Sequence, residues 1–203
     1  MSTIGTVDEL RDCYPQPLER SLRKSLASLD AHMRRFISLS PFLCLGTSSG
    51  GGADVTPRGD SPGFVHVLDD QTLLIPDWPG NNRLDSLTNL VGNPTIGLLF
   101  FIPGVDETLR VNGSAELTTE PALLERWTVN AKHPRLAIRV TVREAYLHCA
   151  KALMRSRLWG RDYRVERTEL PTYAQMLKDQ GVTTQSVEQL QAVIDDSYTT
   201  RLY

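Results

Sequence analysis

The sequence predicts a mostly β protein with added helices, its short strands closing into an antiparallel barrel. Short apolar runs separated by turn signals recur from Pro41 to Cys149. Helices are read before Pro41, after Asn82, over Pro121 to Val129, and beyond Cys149. Helices are thus inserted among strands rather than alternating with them. That pattern favours a closed barrel over a doubly wound sheet.

Each element follows in order. Between residues 7 and 39, Leu18, Leu22, Leu26, Leu29, Met33, Phe36 and Ile37 recur at helical spacing and predict one apolar stripe. Its helix stops before Pro41, because a residue preceding proline is pushed out of the α region. Phe42 to Ser48 reads as a strand, Ser49-Gly50-Gly51-Gly52 as a hairpin, and Ala53 to Arg58 as the returning strand. Gly63 to Leu68 and Thr72 to Pro76 read as two more strands around Asp69-Asp70-Gln71. After Asn82 a helix is expected with Leu84, Leu87, Leu90 and Val91 inward. Thr95 to Ile102 is a nearly continuous apolar strand, buried on both faces or lining a barrel. Pro103-Gly104-Val105-Asp106 turns it into Glu107 to Leu117. Pro121 to Val129 reads as a short helix, and Leu136 to Cys149 as a strand with Ile138, Val140 and Val142 on one face. Leu170 to Gln180 and Ser186 to Tyr198 predict two final helices.

The chain of 203 residues is read as one domain: a helical lead-in over 1–40, a barrel core over 41–150 and a helical appendage over 151–203. A net charge of −2 gives no global case for nucleic acid. Three widely spaced cysteines (Cys13, Cys44, Cys149) form neither a zinc ribbon nor a disulfide framework. His66, His133 and His148 show no metal-ligand spacing, and only His148 is a candidate proton donor. The sequence has no apolar leader and no stretch approaching the roughly 20 apolar residues of a membrane span, so a cytoplasmic location without membrane contact is expected.

The segment Asp77-Trp78-Pro79-Gly80-Asn81-Asn82-Arg83 lies between a strand and a helix. A Pro-Gly turn there delivers two amides and a guanidinium to a helix start, where backbone N–H groups and the helix dipole favour a phosphate. Upstream, Asp54-Val55-Thr56-Pro57-Arg58-Gly59-Asp60 offers a second arginine beside a glycine that permits close ligand approach. The residues alone also allow Arg58 as a turn arginine paired with Asp54 or Asp60, and Arg83 as a solvated arginine on a capped helix.

These elements, followed by Asn93-Pro94, Ile96-Gly97-Leu98-Leu99-Phe100 and Leu109-Arg110-Val111-Asn112-Gly113, resemble the pyridoxamine 5′-phosphate oxidase-like FMN-binding split-barrel superfamily from about Pro41 to Trp159. The resemblance implies an antiparallel split β-barrel, homodimeric, with FMN in the groove between protomers. It places Arg58 and Gly59, and the segment opened by Pro76 and Asp77, at the FMN phosphate or ribityl chain. Asn81, Asn82 and Arg83 fall where relatives carry a Ser-Arg-Lys clamp; asparagines replace the serine and Leu84 the lysine, so the clamp is less basic. Thr108 and Arg110 fall on the strand that passes the isoalloxazine ring, or equally are an exposed strand face. Lys151, Arg155 and Trp159, on one face if helical, are assigned to the ring end, where a cation stabilises the anionic reduced flavin; a solvated surface helix fits them as well.

The function so implied is an FMN-dependent oxidoreductase of a small-molecule substrate, with a small-molecule electron donor or acceptor and any NAD(P)H binding transiently over the flavin. Alternatives are an FMN store or redox sensor without turnover, and a flavin-free split-barrel dimer holding another phosphate-bearing ligand. Vitamin B6 oxidation is disfavoured: the Arg-Leu-x-Pro-x-Arg signature of the oxidases proper is missing, and Thr199-Thr200-Arg201-Leu202-Tyr203 does not replace it.

Overall fold

The computed structural model describes residues 3–203, so Met1 and Ser2 of the lead-in lie outside the described residues. Seven strands form one antiparallel sheet: β1 (Phe42–Ser49), β2 (Gly52–Gly59), β3 (His66–Val67), β4 (Thr72–Asp77), β5 (Thr95–Ile102), β6 (Val105–Thr118) and β7 (Leu136–His148). Their order across the sheet is β2-β1-β5-β6-β7-β4-β3. The expected closed barrel is therefore corrected to an open sheet, with β2 at one edge and β3 at the other. Two local features keep it open. The segment predicted as a strand from Gly63 to Leu68 shrinks to His66–Val67, because Gly63 is left-handed at φ 82° and Phe64 closes a turn onto Ser61. Edge strand β2 carries Pro57, which has no N–H to offer a further strand.

The sheet still wraps one core. Leu43 and Leu45 of β1, Leu73 and Ile75 of β4, Leu98 and Phe100 of β5, Leu109 and Val111 of β6, and Ile138 and Val140 of β7 share a single apolar cluster. Truncating any of these leucines to alanine costs about 2–5 kcal/mol. β5 alternates between this core and a half-exposed outer face carrying Leu99 and Phe101, rather than being buried on both sides. β4 is the strand buried twice, with Leu74 joining Leu124, Trp127 and Ala137 on the outer side.

The lead-in is three separate helices rather than one stripe: α1 (Val7–Asp12), α2 (Glu19–Arg23) and α3 (Ala31–Leu39). Pro15 and Pro17 interrupt the pattern, and Leu18 and Leu22 stay exposed. Leu26 instead bridges to Ala145 of β7. Only α3 enters the core, capped by Asp30 and burying Met33, Phe36 and Ile37.

α4 (Asp85–Gly92) lies on β1 and β2. The Ser86 hydroxyl donates to Asp54 at 2.8 Å, and the Asn89 and Asn93 side-chain amides donate to Thr47 at 3.1 Å and Ser48 at 3.0 Å. Leu87 and Leu90 point inward as expected; Leu84 and Val91 do not, because Leu84 is left-handed and precedes the helix. α5 (Pro121–Leu124) ends well before Val129, which opens a turn through the left-handed Asn130 and Ala131. Beyond β7 come α6 (Lys151–Ser156), α7 (Tyr173–Asp179) and α8 (Val187–Thr200), with α7 packed on α8. No helix among the described residues is long and apolar enough to cross a membrane.

Candidate functional site

A cavity of about 710 Å³ opens where edge strand β2, the end of β4, the Trp78–Leu84 connector and the start of α4 meet. That volume lies within the usual range of small-molecule sites. The cavity brings together Arg58, Gly59, Pro76, Asp77, Asn81, Asn82 and Arg83, two sequence elements that chain order alone leaves apart.

Its geometry assigns the two arginines different positions. Arg58 is held rather than free: Nη1 donates to the Thr56 hydroxyl at 2.9 Å and the Pro57 carbonyl at 3.0 Å, and Nη2 stands 3.6 Å from Asp77. The carboxylate partner is thus Asp77 of β4, neither Asp54 nor Asp60. The Arg58 Nε is buried and has no partner among the described residues. Burial holds the Asp77 carboxyl above the ordinary carboxylate range, against the opposing pull of Arg58 and Arg135. Arg83 is exposed and turned back onto Asp85, Nε to Oδ2 at 2.8 Å. Its backbone N–H donates to the Asn81 side chain, and Asn82 and Leu84 on either side are left-handed. The connector therefore leaves the amides of Gly80, Asn81 and Asn82 without intramolecular partners among the described residues. α4 starts only at Asp85, whose carboxylate already occupies the first turn.

Residues that the sequence reading missed complete the wall. Trp78 opens the connector after β4, and its indole N–H is buried without a partner among the described residues. Leu202 and Tyr203 reach the cavity from beyond α8. No spacing signal marks them, because the contact spans the whole barrel in sequence.

The remaining candidates sit elsewhere. Thr108 and Arg110 pair with His148 and Tyr146 across β6 and β7, and line none of this cavity. Arg110 donates to the Tyr146 hydroxyl at 3.0 Å, while the Lys24 ammonium lies 5.0 Å from the centre of the same ring. Burial, then Arg110 and Lys24, depress the His148 pKa, favouring neutral imidazole over a charged proton donor. Lys151 and Arg155 are exposed on α6. The expected continuous face of Lys151, Arg155 and Trp159 is corrected: the helix stops at Ser156, Arg157 turns left-handed, and Trp159 donates its indole N–H to the Val105 carbonyl at 2.9 Å. The described residues contain no cluster of three or more metal-ligating side chains.

Comparison with known proteins adds the lineage. A family model described as pyridoxamine 5′-phosphate oxidase matches residues 29–149. No curated protein matches the chain. Among solved structures, HupZ from Group A Streptococcus is similar at 18% identity and TM-score 0.48, over 59% of this chain and 93% of that one. General Stress Protein 26 from Bacillus anthracis is similar at 16% identity and TM-score 0.41, over 57% and 93% of the two chains. An FAD binding protein from Mycobacterium smegmatis is similar at 15% identity and TM-score 0.43, over 61% and 97%.

Proposed function

Because this chain belongs to the pyridoxamine 5′-phosphate oxidase family, we propose that the cavity beside Arg58 binds FMN and that the protein is an FMN-dependent oxidoreductase acting on a small molecule. The observation that carries this reading is the Arg58 Nε, a charged donor buried in a cavity wall without a partner among the described residues. A buried donor left unpaired is costly, and a ligand oxygen would satisfy it. The donor set suits a phosphate monoester: Arg58, the connector amides at Gly80, Asn81 and Asn82, and Arg83 once it leaves Asp85.

FMN supplies the hydride-accepting ring; the protein binds, orients and tunes it. Arg58 fixes the anionic end against the edge of β2, and Gly59 keeps the backbone there without a side chain. Asp77 limits the positive charge at that end. The ring end belongs, in this reading, to a homodimer. The outer face of β5, β6 and β7 leaves Leu99, Phe101, Arg110 and Tyr146 only partly covered, a surface suited to a second copy. Lys151 and Arg155 then serve a flavin across that interface.

A second reading, FMN holding without turnover, is favoured by one fact: none of His148, Lys151 and Arg155 lines the cavity. The visible spectrum of the purified protein, followed by anaerobic NADH or NADPH, separates the two. A yellow protein bleached by reduced nicotinamide supports the oxidoreductase, and a yellow protein inert to both supports holding. A colourless protein that ignores added FMN removes the flavin reading altogether.

A further inference from the structure

We propose that Tyr203, with Leu202, is a specificity-determining wall at the phosphate end of the cavity, admitting flavin mononucleotide and turning away flavin dinucleotide. The inference rests on the flavin reading above and adds to it a residue from outside the family match, which ends at residue 149.

Three contacts fix Tyr203, each to a different part of the fold. Its hydroxyl donates to Asp60 Oδ1 at 2.8 Å, on the loop leaving β2. Its ring meets Trp78 edge-on, with centroids 5.1 Å apart, on the connector leaving β4. Its backbone carbonyl accepts from Lys132 Nζ at 2.9 Å, in the turn before β7. An aromatic tied at three points is a wall rather than a passing side chain. The bond to Asp60 also holds the phenol pKa above its usual value.

Its position gives the wall its consequence. Asp60 follows Arg58 and Gly59 directly, so the Tyr203–Asp60 pair stands beside the phosphate donors. FMN and FAD share ring, ribityl chain and first phosphate. They differ only beyond that phosphate, where FAD continues into a second phosphate and adenosine. A monoester can end against the Tyr203–Asp60 pair; a diester must pass it. Asp60 puts a carboxylate at that pair, which a second phosphate would have to pass, and like charges repel. Selection against FAD is thus both steric and electrostatic, the repulsive element that specificity requires.

The test is the pair of dissociation constants for FMN and FAD, by equilibrium dialysis, on the wild-type chain, Tyr203→Ala and Tyr203→Phe. Wild type should prefer FMN about a hundredfold or more, and Tyr203→Ala should narrow that preference at least about tenfold by gaining FAD. Tyr203→Phe keeps the ring on Trp78, loses the tie to Asp60, and should narrow the preference by about threefold; it carries the test if the alanine variant does not fold. A ratio unchanged in both variants, with wild type binding FMN tightly, overturns the wall and leaves the flavin reading standing. Wild type taking FAD as readily as FMN also overturns the wall. Wild type binding neither flavin overturns the flavin reading, and the wall with it.

Discussion

The Arg58 guanidinium stands 3.6 Å from the Asp77 carboxylate in the cavity wall, the two side chains 23% and 19% exposed. Asp77 nonetheless titrates high, because its burial outweighs the attraction of Arg58 and Arg135.

The first prediction concerns pH. A carboxyl with a raised folded pKa holds its proton more tightly in the folded chain than in the unfolded one. Its contribution to stability is complete below the ordinary carboxylate pKa and is lost as pH rises through the raised value. Asp77→Asn should therefore melt close to wild type near about pH 4 and above it near about pH 7. Calorimetry across that range checks this; a constant offset between the two proteins would show that another group titrates.

Phosphate anchoring gives the second. The Arg58 Nε is buried without a partner among the described residues, whereas Arg83 is exposed and paired with Asp85. Arg58→Ala should weaken FMN by about a hundredfold and Arg83→Ala by about tenfold, while riboflavin changes little for either. Fluorescence titration with both ligands reads this directly. Equal losses for FMN and riboflavin would mean that neither arginine meets the phosphate.

Assembly is the third. Leu99 points outward from β5 between Cys44 and Arg110 of the flanking strands. We expect light scattering to give a dimer at micromolar concentration, and Leu99→Glu to give a monomer with an unchanged circular dichroism spectrum. A wild-type monomer would remove the shared-flavin arrangement.

The fourth tests the sheet itself. A Cβ at Gly113 would lie 2.1 Å from the Thr141 carbonyl oxygen, at the bulge where β6 shifts register against β7. Backbone cannot swing aside as a flexible side chain does. Gly113→Ala should cost about 3 kcal/mol and lower the melting temperature by about 5–10 °C, as scanning fluorimetry would show.

Strands with an alternating or continuous apolar pattern were legible almost to the residue. β5 spans Thr95–Ile102 as expected, and β7 ends at His148 rather than Cys149. Periodicity there reports burial directly. It misleads in the lead-in, where Leu18 and Leu22 keep helical spacing although Pro15 and Pro17 part the chain and nothing covers them. The two phosphate-compatible elements were legible because each is local, a turn with its own glycine and arginine. Their convergence on one cavity follows from the edge position of β2 and the packing of α4, which no local pattern encodes. The carboxylate beside Arg58 had no local signal for the same reason: Asp77 is distant in sequence and adjacent only through the fold. Tyr203 had no signal at all, since its hydroxyl finds Asp60 across 143 residues.

That span has a bearing on how the protein is made. The cavity draws on residues 54–60, 76–87, 135–136 and 202–203, and β1 must wait for β5, as β4 must for β7. During synthesis the segments carrying Arg58 and Arg83 emerge well before residues 202–203, which face them across the cavity. Such non-local pairing makes folding slow and leaves strand edges open meanwhile. Completion of the cavity is thereby a late event in folding, because residues 202–203 can dock only on a sheet and a connector already in place.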